Sequence, residues 1–140
     1  MDPFAQLKQD FLEECDELLG ALEGRLVSLQ EGSGSTDDVN GAFRAIHSIK
    51  GGAGAFGFNS LIEISHVFEA ALDHLRSGRV AIADAPLPLF LRAADMVASL
   101  VAAAREERAL PPPTELIDEL KAVGVGPKAP AATASVVAPI

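Results

Sequence analysis

The sequence predicts an all-α protein of five helices packed on one another, the fifth of them short and C-terminal. Three observations carry this. Of 140 residues, 49% are hydrophobic but only 5% aromatic, with neither Trp nor Tyr, a composition that suits helices packed on helices better than a sheet. Apolar residues recur at spacings of three and four through most of the chain. Turn-forming residues break that rhythm at positions 31–36, 57–59, 78 and 111–113, which leaves five helical stretches.

The first stretch covers residues 3–30, where Phe4, Leu7, Phe11, Cys15, Leu18, Leu22, Leu26 and Leu29 form one apolar stripe. Pro3 suits its first turn and Asp2 its cap. Cys15 lies on the stripe and reads as core packing. After the loop EGSGST, Thr36 or Asp37 caps a second helix running to Phe56, with Val39, Ala42, Phe43, Ile46, Ile49, Ala53 and Phe56 facing inward. The Gly57-Phe58-Asn59 turn ends it. A third helix extends to Ser77 with Leu61, Ile64, Phe68, Leu72 and Leu75 buried, and Gly78 stops it. The fourth is read over residues 84–108, with Phe90, Ala94, Val97, Val101 and Ala104 inward and Pro86 and Pro88 confined to its first turn. The fifth, residues 114–123, rests on Leu116, Ile117, Leu120 and Val123. Residues 1–123 therefore form the domain. Residues 124–140, mostly Ala, Pro, Gly and Val, read as a linker or tail, as if cut from something longer.

A formal charge of −9 argues against phosphate-backbone recognition of nucleic acid and against anionic membrane surfaces, so partners are expected to be proteins. A lone cysteine and the absence of a charged-then-apolar leader predict a reduced, cytoplasmic protein. No uncharged run approaches the ~18 residues of a membrane span.

Chemistry concentrates in the second helix. At about 100° per residue, His47 falls at the edge of the buried stripe, with Lys50 one turn on and Gly51 and Gly54 beyond it. Each interior helix glycine costs roughly 0.5–1 kcal/mol against alanine, so Gly51, Gly52 and Gly54 want a reason. Bare backbone beside an exposed imidazole lets a large partner come close. The second and third helices share a tight turn, and His47 stands eleven residues before Phe58 while Glu69 stands eleven after it. Edge positions at one height on antiparallel neighbours can touch. A Glu69 carboxylate accepting from Nδ1–H would fix the tautomer and leave Nε2 as the exposed nucleophile, with the Lys50 ammonium near whatever anion it acquires.

The string AFRAIHSIKGGAGAFGF at residues 42–58, followed by HVFEAALD at 66–73, resembles the histidine phosphotransfer (HPt) domain at the N-terminus of bacterial chemotaxis kinases of the CheA type. The resemblance covers roughly residues 3–123. It implies a five-helix domain built on an antiparallel four-helix bundle, with His47 as the phosphorylation site, Lys50 its charge partner and Glu69 its hydrogen-bonding carboxylate. By position His66 matches a second histidine common near that network, and Gly51, Gly52 and Gly54 match the strip that admits the partner. The implied partners are a CheA-type kinase catalytic domain, which binds ATP and Mg²⁺, and a CheY-like or CheB-like response regulator, which holds its own Mg²⁺ and receives the phosphoryl group on an aspartate. No cofactor is expected in this chain, and with no kinase segment in 140 residues it should phosphorylate nothing alone. His74 matches nothing functional and reads as solvated.

Two other readings stand beside this one. Glu63 and His66 have the Glu-x-x-His spacing of carboxylate-bridged metal helices, a site His47 or Glu69 would complete, but such sites need a second pair and Glu63 points away from the Phe68 stripe. A purely structural interaction bundle explains the helices and leaves the glycines unexplained.

Overall fold

The computed structural model describes residues 2–32 and 34–125. Its helices are α1 (Pro3–Gln30), α2 (Thr36–Phe56), α3 (Asn59–Arg76), α4 (Leu87–Arg105) and α5 (Thr114–Lys121), with a 3₁₀ turn at Ile82–Asp84 and no strand among the described residues. The tail read at 124–140 lies outside the described residues except for Gly124 and Val125. Around the bundle, α1 packs on α2 and α4, α3 packs on the same two, and α5 lies against α3 and α4.

Neighbours in this ring run antiparallel, as the pairings across them require. Phe11 near the start of α1 meets Gly52 and Phe56 near the end of α2, whereas Arg25 near its end pairs with Asp38 at the start of α2, 3.1 Å apart. Phe68 of α3 packs on Phe90 of α4 with ring centroids 5.6 Å apart. Arg105 Nη2 ties the end of α4 back to α1, donating to Leu12 O at 2.7 Å and to Asp16 Oδ2 at 3.1 Å.

Local sequence explains the ends. The Asp2 carboxylate accepts from Ala5 N–H at 2.8 Å and caps α1. The cap of α2 is Ser35 rather than Thr36 or Asp37; Asp38 reaches back to accept from Ser35 N–H at 3.1 Å, which places the first helical residue at Thr36. Gly57, at φ 72°, takes the left-handed conformation that closes α2, and the following Phe58 N–H donates to Ala53 O at 3.0 Å. The fourth helix is shorter than residues 84–108 at both ends. Ala85, before Pro86, is extended, because a proline disfavours helical geometry in the residue it follows. At the other end Glu107 turns left-handed at φ 58° and Arg108 N–H closes on Ala103 O, a stop that no glycine announces.

The stripes differ from the sequence reading where helices overhang or face two neighbours. Phe4 and Leu7, expected inside, are 56% and 59% exposed. With 28 residues α1 is about 42 Å long against about 31 Å for the 21 residues of α2, so its first turn runs past the end of α2, where Phe4 keeps an edge-on contact with Phe56. Leu12 and Leu19 are buried and Leu18 only partly so, since α1 meets α2 on one side and α4 on the other. By length and composition Leu87–Arg105 is, among the described residues, the one helix that could cross a membrane. Its Phe90, Ala93, Ala94, Val97, Leu100 and Val101 are instead buried against the other helices. Cys15 is fully buried, and burial, then the neighbouring Asp16 and Glu14 charges, push its thiol up to about 12.

Candidate functional site

The α2–α3 antiparallel pair brings His47, Lys50 and Glu69 together on one open face. Glu69 projects from α3 with its side chain only 13% exposed. One carboxylate oxygen, Oε2, sits against His47 Nδ1; the other accepts from Lys50 Nζ at 2.6 Å. Burial by itself raises the Glu69 carboxyl, but the hydrogen bonds from Lys50 and His47 and the charges of those side chains outweigh it and hold the group below its usual value of 4.5. An ionised carboxylate only accepts hydrogen bonds, so Nδ1 is the nitrogen that carries hydrogen. The lone pair of the neutral ring is thereby assigned to Nε2, on a side chain that is 63% exposed.

The imidazole has a second support. Phe43, one turn earlier on α2, lies parallel to it within 9°, ring centroids 6.0 Å apart, and the Arg76 guanidinium carbon sits 3.8 Å from the Phe43 ring centroid. The spacing places Phe43 in the core; the structure leaves it half-buried, because its outer part is turned to this stack.

The three glycines do not share one environment. A Cβ at Gly51 or Gly54 would meet nothing within 4 Å, whereas at Gly52 it would stand 2.0 Å from Phe11 Cε1. Gly52 therefore admits α1, not a partner, and the open strip reduces to Gly51 and Gly54. Past Gly54, Phe56 meets Phe4 of α1 edge-on at 5.2 Å, which continues the face toward the exposed Phe4 and Leu7.

His66 lies one turn before Glu69 on α3 and is exposed. It lines a shallow recess of about 220 Å³ with Ala70, His74, Leu120 and Lys121, beside α5. His74 is half-buried rather than solvated; its ring lies so close under Gly124 that a Cβ there would come within 2.6 Å. Glu63 is exposed, and among the described residues no three His, Cys, Asp or Glu side chains gather as a metal site would require.

Fold and site together define a class: a helical bundle that presents one histidine, oriented through Nδ1 by a buried carboxylate, on an open face. The profile of the Hpt domain family matches residues 6–123, and the chain belongs to that family of histidine phosphotransfer domains. It is similar to the chemotaxis protein CheA of Rhizobium meliloti (strain 1021), 43% identical over 123 residues, which are 86% of this chain and 16% of that protein. It is also similar to CheA of Cereibacter sphaeroides, 43% identical over 122 residues, 83% of this chain and 18% of the relative. The sensor histidine kinase CheAY of Helicobacter pylori is 30% identical over 106 residues, 76% of this chain and 13% of that protein. The chain thus spans less than a fifth of the length of these relatives.

Proposed function

We propose that this chain is the phosphoryl-carrying domain of a chemotaxis kinase, with His47 as the residue that carries the group. The observation behind the reading is the Glu69 carboxylate gripping Nδ1 while the Nε2 side of the ring stands open. The Nε2 lone pair attacks the γ-phosphorus of ATP, whose Mg²⁺ complex is held by a separate kinase catalytic domain. The P–N bond forms as the bond to the β-phosphate oxygen breaks, and ADP leaves with that electron pair. The ring becomes cationic, and Glu69 offsets that charge through the Nδ1–H it already accepts. Lys50 offsets the charge of the phosphoryl oxygens.

In the second half-reaction an aspartate oxygen of a CheY-like or CheB-like response regulator, whose own Mg²⁺ supports the acceptor, attacks the same phosphorus. The P–N bond breaks and its electron pair returns to Nε2. The chain is a carrier, and the catalytic centres lie on its partners. ATP as donor places it in the cytoplasm. Gly51 and Gly54 leave room for either partner, and the exposed Phe4 and Leu7 extend that face with apolar surface suited to protein contact.

The test is incubation with radiolabelled MgATP and the catalytic domain of a chemotaxis kinase. Acid-labile, base-stable label on the wild type and none on His47→Gln is the expected result; label retained by His47→Gln would refute it.

A further inference from the structure

The Glu69 bond restrains the two side-chain torsions of His47 through Nδ1 alone. A hydrogen bond tolerates a spread of angles and the second torsion of a histidine is broad, so the ring plane still rocks and carries Nε2 with it. Phosphoryl transfer requires the attacking nitrogen in line with the leaving oxygen, so this freedom has to be removed. The structure offers one surface that does so. Phe43 lies parallel to the imidazole within 9° at 6.0 Å between centroids, inside the range of offset stacking.

A half-buried phenylalanine at a helix edge would itself be mobile without a stop. Arg76 supplies it, with its guanidinium carbon 3.8 Å from the Phe43 centroid, well inside cation–π distance. Asp73 Oδ1 in turn accepts from Arg76 Nε at 3.1 Å and from Nη2 at 2.7 Å, which locks the guanidinium plane. Counted from the α2–α3 turn, Phe43 stands between His47, nearer the turn, and Arg76, farther from it. From this we infer that Phe43, braced by the Asp73-held Arg76, is a positioning residue that sets the ring plane of His47 and so the direction of the Nε2 lone pair.

The inference rests on His47 being the phosphoacceptor, and its test separates the two. In the unphosphorylated chain, NMR couplings and ring-to-ring NOEs report the order of the His47 side chain without any partner. Phe43→Leu keeps apolar bulk but removes the plate, and should average the His47 torsions. Phe43→Tyr should retain them. With MgATP and the kinase catalytic domain, Phe43→Leu should lower kcat about tenfold at unchanged KM, and Phe43→Tyr should stay within about twofold of wild type. Arg76→Gln should give an intermediate loss of about threefold. A folded Phe43→Leu with wild-type kcat and an ordered His47 ring, or an Arg76→Gln without effect on either readout, overturns the proposal. Failure of the wild type to accept phosphate would instead overturn the reading of His47, and the NMR comparison would still judge the stack.

Discussion

Substituting alanine at Gly51, Gly52 and Gly54 one at a time should split a run of glycines that looks uniform in sequence. All three lie inside α2, and each substitution gains about 0.8–1 kcal/mol of helix propensity. At Gly51 and Gly54 the new methyl meets nothing within 4 Å, so the gain stands. At Gly52 it arrives 2.0 Å from Phe11 Cε1, and Phe11 must retreat by roughly 1.4 Å to reach ordinary contact at 3.4 Å. Phe11 is buried and its ring stacks on Phe56 at 5.7 Å and faces Phe58 at 6.4 Å, so it has little room to do so. Overpacking of this kind costs about 1–3 kcal/mol, which exceeds the helix gain and leaves Gly52→Ala destabilised by about 1 kcal/mol. For a domain of this size that is a fall of about 4 °C in Tm, against a rise of similar size for the other two. Thermal and urea unfolding followed by circular dichroism measure both. A Gly52→Ala protein as stable as Gly51→Ala would refute the assignment of Gly52 to the α1–α2 contact.

Glu69→Gln should fold normally and phosphorylate about tenfold more slowly, with the His47 ¹⁵N shifts moving toward a mixture of tautomers; an unchanged rate and tautomer would contradict the role given to the carboxylate. Because the folded carboxyl of Glu69 is held below 4.5, the stability its network gives is present above that pH and is lost as pH falls through the lower folded value. Melting wild type and Glu69→Gln between about pH 6 and pH 3 should therefore show a gap that closes at the acidic end; parallel curves would refute this. Cys15, fully buried with its thiol pushed up to about 12, should react with iodoacetamide at pH 8 at least about 100-fold more slowly in the native chain than in urea, and equal rates would place it outside the core.

The parts of this protein legible in its sequence are those set by short-range periodicity. The α3 stripe of Leu61, Ile64, Phe68, Leu72 and Leu75 is buried as its spacing implies, and the equal distance of His47 and Glu69 from Phe58 was enough to place their side chains in contact, because a tight turn leaves two helices little freedom in register. What depends on a third element was not legible. Phe4 and Leu7 continue the α1 stripe without a break, yet at that end of the bundle Phe56 of α2 meets Phe4 edge-on and both residues stay exposed. Gly52 differs from Gly51 and Gly54 only because α1 brings Phe11 to it. Phe43 carried a signal that could have been read, since a phenylalanine one turn before an edge histidine is placed to stack on it; the partner that braces it, Arg76, comes from another helix.

The central claim is that Glu69 holds Nδ1 of His47 and leaves Nε2 to react. Phosphorylating ¹⁵N-histidine-labelled protein with MgATP and a chemotaxis kinase catalytic domain, then recording ³¹P and long-range ¹H–¹⁵N spectra, identifies the nitrogen that carries the phosphorus. The account predicts a single phosphohistidine, at Nε2 of His47, with Nδ1 still protonated and hydrogen-bonded. Phosphorus on Nδ1, or on His66 or His74, would contradict it.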